Sequence, residues 1–101
     1  MGARIPIDQE KLAEFCRKNH IRKLWFFGSV LRDDFRPDSD VDVLYEFEPG
    51  HSVGFFGLFD MEEELSALVG GHRVEMFEPQ YLNRWIKDEV LSSAQVQYGQ
   101  E

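Results

Sequence analysis

Three stretches of the chain carry residue types that can do chemistry. Gly28-Ser29 falls where an apolar run gives way to an amphipathic one. Backbone N–H groups and a hydroxyl at a helix start suit phosphate oxygens, and glycine permits a tight turn and close ligand approach. By itself the pair is common turn chemistry. Asp40-Val41-Asp42 opens a strand-like segment. Strand residues i and i+2 share a face, roughly 6.5–7 Å apart at Cα, so the two carboxylates can converge on a hard cation. Mg²⁺ takes oxygen ligands and is usually held by one or two carboxylates plus substrate phosphates. Acidic residues are poor strand formers, which sets this pair apart from an ordinary solvated face. Glu75, between Val74 and Met76, is the third. On a strand it points away from its apolar neighbours and can reach a metal held next door. On its own it reads as a solvent-facing residue.

The surrounding elements must bring these stretches together. Asp8 is an N-cap, and Leu12, Phe15 and Cys16 recur at helical spacing, which predicts a helix over about Asp8–Asn19. Leu24–Phe27 predicts a buried strand ending at Gly28. Val30–Phe35 predicts one or two helical turns, and Arg36-Pro37-Asp38-Ser39 a turn. Val41, Val43, Tyr45 and Phe47 alternate, so Asp40–Phe47 is a strand. His51–Phe56 is loop-like. Leu58, Met61, Leu65, Leu68 and Val69 form a helical stripe stopped by Gly70-Gly71. Arg73–Phe77 is a third strand, Leu82 to Leu91 a last amphipathic helix, and Ala94–Tyr98 an edge strand. The order αβαβαβα predicts an α/β domain of two layers.

Composition narrows the function. With 101 residues, 43% hydrophobic and 30% charged, the chain reads as one globular domain over 1–101. Its formal net charge of -8 denies it the electrostatic footprint of non-specific nucleic-acid binding. With one cysteine, no leader and no long apolar run, a soluble, cytoplasmic protein without membrane contact is expected. Cys16 reads as a small buried hydrophobe. His20, His51 and His72 read as surface residues. The Gly-bounded Phe55, Phe56 and Phe59 read as core in preference to a partner-binding patch.

Gly28-Ser29, ten intervening residues and Asp40-x-Asp42 together resemble the signature of minimal nucleotidyltransferases, small members of the DNA polymerase β-like superfamily. The likeness extends to Gly28-Ser29-x-x-Arg32 and Ser39-Asp40-x-Asp42, and spans about residues 8 to 91. It implies the palm-like nucleotidyltransferase fold, a two-layer α/β arrangement of a mixed sheet with helices packed on one face. It further implies that Gly28 and Ser29, with Arg32 and Ser39, bind a nucleoside triphosphate. Asp40 and Asp42 would hold two Mg²⁺ ions. Glu75, at the family's third-carboxylate position, would hold the second metal or help deprotonate the acceptor hydroxyl. Two metals about 3.5–4 Å apart can clamp both oxygens of an in-line displacement.

Three positions depart from the family pattern. Glu75 stands where Asp is usual, Asp33 (followed by Asp34) where Gly is usual, and Leu31 where a small residue is common. The resemblance carries a biological setting as well. Minimal nucleotidyltransferases are commonly paired with HEPN-domain toxins, which they silence as antitoxins by adding AMP to a tyrosine. The leading expectation is therefore transfer of AMP from ATP to a hydroxyl, with a HEPN protein as partner. The alternative is a weakly active or inactive module that binds nucleotide or partner and neutralises by contact alone. A metal-dependent phosphohydrolase lacks an obvious water-activating base. Homo-oligomerisation is left open.

Overall fold

The computed structural model describes residues 5, 7–32 and 35–99. Helix α1 (Gln9–Lys18) starts where the Asp8 carboxylate accepts from the N–H groups of Glu10 and Lys11, at 2.9 and 3.2 Å. Strand β1 (Ile21–Phe27) is three residues longer at its start than the apolar run alone predicts. A register irregularity between Ile21 and Lys23 turns both Ile21 and Leu24 into the core. A single 3₁₀ turn, Gly28–Leu31, follows in place of the expected helical turns. Arg32 ends it in an extended conformation, at φ -110° and ψ 160°. Asp33 and Asp34 lie outside the described residues.

Strand β2 (Val41–Phe47), helix α2 (Phe55–Leu68) and strand β3 (Val74–Phe77) come next. A 3₁₀ turn (Pro79–Tyr81), helix α3 (Arg84–Ser93) and strand β4 (Gln95–Tyr98) complete the order. Helix α2 begins at Phe55, so the loop before it is shorter than expected. Gly70 and Gly71, at φ +77° and +87°, supply the left-handed exit from its end.

The sheet order is β3-β2-β1-β4; β1 pairs antiparallel with β2 and β4, and β2 pairs parallel with β3. The sheet is thus mixed, within the α/β order that the sequence predicts. On one face Phe26, Val43, Tyr45 and Met76 pack with Leu12, Phe15 and Cys16 of α1 and Met61 and Leu65 of α2. The amide of Met76 donates to the Glu62 carboxylate at 3.0 Å, so α2 satisfies a donor of the β3 edge.

The other face carries Trp25 opposite Leu44 and Phe27 opposite Asp42. Helix α3 lies by this second face: Ile86 and Val90 line a cavity of about 250 Å³ together with Phe27, Asp42 and Phe77. None of its residues is buried, and Trp85 is 78% exposed. Phe55, Phe56 and Phe59 are also exposed, against the expectation that they join the core. They sit in the first turns of α2 and the core is filled without them. Among the described residues no helix is long and apolar enough to cross a membrane.

Candidate active site

The site is built where the end of β1 meets the starts of β2 and β3. Alternation on β3 sends Val74 and Met76 into the core and leaves Glu75 half-buried on the opposite face. Asp42 lies between core-facing Val41 and Val43, so it too faces away from the core. The parallel register sets Asp42 against Glu75 as Cα partners. Asp40 sits half-buried two residues before Asp42, just ahead of β2.

Two contacts fix this register. The amide of Val41 donates to the Arg73 carbonyl at 2.8 Å. The Nδ1 of His72 lies 2.9 Å from the Ser39 carbonyl oxygen, a distance at which Nδ1–H donates to it. Ser66 holds His72 in turn, its hydroxyl donating to the His72 carbonyl at 2.6 Å. His72 is thus half-buried and packs tilted against Phe35, with ring centroids 4.8 Å apart. It is not the surface residue that sequence suggested. Its missed signal was position, since it immediately precedes the carboxylate-bearing strand.

Gly28 closes the site from β1. Its φ is +77°, and a Cβ there would fall 2.6 Å from Asp42 Oδ2. The left-handed backbone favours glycine, and a side chain there would push the Asp42 carboxylate aside. The Ser29 hydroxyl reaches the Asp40 carbonyl at 3.4 Å, a long hydrogen bond across the same gap. The Ser39 hydroxyl accepts from the Arg36 amide at 3.0 Å and so braces the turn before Asp40. Arg32 is exposed but close enough to act on Asp42 electrostatically.

The electrostatics bind these residues into one unit. Burial raises the Asp42 carboxyl above its ordinary 3.8, and the charges of Glu75 and Asp40 raise it further; Arg32 opposes them. A carboxylate so placed gains from a neighbouring cation. Among the described residues, Asp40, Asp42 and Glu75 do not close into a triad with all ligand atoms within 4.8 Å of one another. The cleft is open at the spacing present. Oxygen-only donors, mutual repulsion and the glycine cradle against Asp42 nevertheless fit a hard divalent cation held jointly with a phosphate.

Residues 9–96 match the model of the nucleotidyltransferase domain, and the chain belongs to that family. A solved structure of a putative minimal nucleotidyltransferase is 29% identical and superposes with a TM-score of 0.68, over 85% of this chain and 85% of its own. The protein adenylyltransferase MntA of Thermococcus cleftensis is 38% identical over 71 residues, covering 70% of this chain and 69% of that protein. A chain of a toxin–antitoxin crystal structure with AMP-PNP superposes with a TM-score of 0.74 at 13% identity, over 94% of this chain and 76% of its own. The complex of a tri-AMPylated Shewanella oneidensis HEPN toxin with an MNT antitoxin contains a chain that superposes with a TM-score of 0.65 at 14% identity. That match covers 91% of this chain and 70% of its own. At these identities the last two structures speak for the fold.

Proposed function

We propose that the chain transfers AMP from ATP to a tyrosine hydroxyl of a HEPN-domain toxin and thereby acts as its antitoxin. The observation that carries the reading is the in-register meeting of Asp42 and Glu75 beside Gly28. The similarity to a protein adenylyltransferase, and the fold shared with toxin–antitoxin complexes, support it. In this reading Gly28 and Ser29 receive the β- and γ-phosphates, and Arg32 offers charge to them. Ser39 shapes the turn that delivers Asp40.

Asp40, Asp42 and Glu75 are the residues that would hold two Mg²⁺ ions. When bound, the ions supply charge stabilisation at the α-phosphate and the leaving pyrophosphate. The chain's own part is positioning. The strand register fixes where Glu75 stands relative to Asp42, and positioning accounts for much of such catalysis. The acceptor oxygen bonds to the α-phosphorus as its bond to the bridging oxygen breaks, and pyrophosphate departs with that electron pair. A tyrosine hydroxyl has an ordinary pKa near 10 and needs help to attack at neutral pH. Glu75, on the rim of the pair, is the group proposed to take its proton.

A chain of net charge -8 fits a basic partner. Exposed Phe55, Phe56 and Trp85 fit a protein rather than a small acceptor. The test is incubation with α-labelled ATP, Mg²⁺ and the HEPN partner, followed by mass spectrometry. Added AMP on a partner tyrosine, absent with Asp42→Asn and much reduced with Glu75→Gln, supports the reading. An unmodified partner that Asp42→Asn still silences favours neutralisation by contact alone.

A further inference from the structure

The opposite end of β2 carries a second cluster with a different chemistry. One ligand atom from each of His20, Glu48 and His51 lies within 4.8 Å of the other two. His20 sits in the α1–β1 corner, while Glu48 and His51 lie just after β2. Six residues of extended chain separate Asp42 from Glu48, which puts roughly 20 Å between this cluster and the carboxylate site.

The backbone prearranges the three residues. His20 adopts φ 60°, the one positive φ at a non-glycine residue among those described. The amide of Glu48 donates to the His20 carbonyl at 2.8 Å, and that of His51 to the Glu48 carbonyl at 3.1 Å. The two imidazoles stack with centroids 3.9 Å apart and planes 10° off parallel. Glu48 Oε1 lies 3.8 Å from His20 Nδ1. A left-handed conformation in a residue with a Cβ is uncommon, and here its result is to turn one imidazole onto the other.

We propose that His20, Glu48 and His51 bind one divalent transition-metal ion of the Zn²⁺ class. Two imidazole nitrogens and one carboxylate oxygen form a donor set suited to Zn²⁺ rather than to Mg²⁺. With bonds of about 2.0–2.2 Å, tetrahedral ligands stand roughly 3.3 Å apart, so the two exposed imidazoles must turn out of their stack to point one nitrogen each at a shared ion. All three side chains are exposed, and a cavity of about 290 Å³ adjoins Glu48 and His51. The fourth position is therefore open to water. The ion would tie the α1–β1 corner to the loop after β2.

The experiment titrates the full chain with Zn²⁺, and with Co²⁺ for its visible d–d bands, in millimolar Mg²⁺ so that the oxygen-only site is held by Mg²⁺. The wild type should take up one equivalent, show tetrahedral Co²⁺ bands, and gain about 10 °C in Tm at a hundredfold excess over Kd. The paired variant is His20→Asn with His51→Ala, because Asn tolerates the left-handed backbone and keeps the corner folded. It should bind at least about tenfold more weakly and lose the bands. Glu48→Gln should weaken binding on its own. A wild type that binds no better than the paired variant, or Co²⁺ spectra unchanged by all three substitutions, overturns the proposal. Neither outcome depends on AMP transfer.

Discussion

Asp42 and Glu75 face each other as Cα partners across the parallel β2–β3 pair, and the Glu75 charge makes a charge on Asp42 harder to carry. The arrangement disfavours the charged form of Asp42 in the metal-free fold, and a bound cation would relieve it. Asp42 has a folded-state pKa raised above its ordinary 3.8 by burial, then by Glu75 and Asp40. Its protonation therefore favours folding. That contribution is fully present below the unfolded value and is lost as pH rises through the raised one.

Asp42→Asn should accordingly stabilise the metal-free protein at neutral pH, by about 0.5–2 kcal/mol, while abolishing AMP transfer. Denaturant unfolding in the presence of a chelator checks the first half. Adding Mg²⁺ should then raise the wild-type midpoint and leave the variant's unmoved. A wild type whose midpoint ignores Mg²⁺ would count against the site.

Gly28→Ala should act through geometry. The left-handed backbone costs an L-residue about 1–2 kcal/mol, and the new methyl would meet Asp42 Oδ2 at 2.6 Å. Loss of about 2 kcal/mol or more is expected, together with loss of ATP binding because Asp42 must move. Pairing it with Asp42→Gly should recover part of the stability and none of the transfer. Equilibrium unfolding of the four members of that cycle measures the coupling.

Much of this frame is legible in sequence because alternation and caps are local signals. Asp8, the Val41–Phe47 alternation and Gly70-Gly71 each mark their element without reference to anything distant. The Asp42–Glu75 register is not local; it depends on the Val41–Arg73 and His72–Ser39 hydrogen bonds between segments more than thirty residues apart. His72 looked like a surface histidine for that reason. The apolar residues of α2's first turns and of α3 misled in the opposite direction. An amphipathic stripe has the same spacing whether it meets the chain's own core or another surface, so Phe55 and Trp85 could not be sorted by period.

Cys16 provides a check on the core that is independent of function. Burial holds its thiol up to about 12 from the ordinary 9.0, slightly offset by Arg17. The thiol should resist alkylating reagents until the chain unfolds. The raised value also makes the fold lose stability in alkali. Its contribution is complete below pH 9 and falls as pH rises toward 12, by up to about 1.4 kcal/mol per pH unit. Buried Tyr45 is likewise raised, first by desolvation, and adds to the loss above about pH 10. Cys16→Ala should flatten the slope between pH 9 and 10. A denaturation series across that range, with the variant beside the wild type, gives the difference directly.

The last prediction concerns Trp85, which is 78% exposed on α3 next to Ile86, a residue that shares a cavity with Asp42. Removing an exposed ring from a helix surface should change stability by no more than about 0.5 kcal/mol. If the HEPN partner brings its tyrosine to the carboxylates, it must approach over this helix, and Trp85 is the large side chain it meets. Trp85→Ala should then raise the KM for the partner severalfold while leaving ATP affinity and kcat near wild type, since uniform binding is lost and transition-state contacts are kept. The net charge of -8 adds a second signature: association with a basic partner should slow as salt rises, and equally so in Trp85→Ala, because the ring carries no charge. Steady-state AMP transfer at two ionic strengths separates the two contributions. A variant with unchanged KM would place the partner on another face, with the exposed aromatics of α2 next in line.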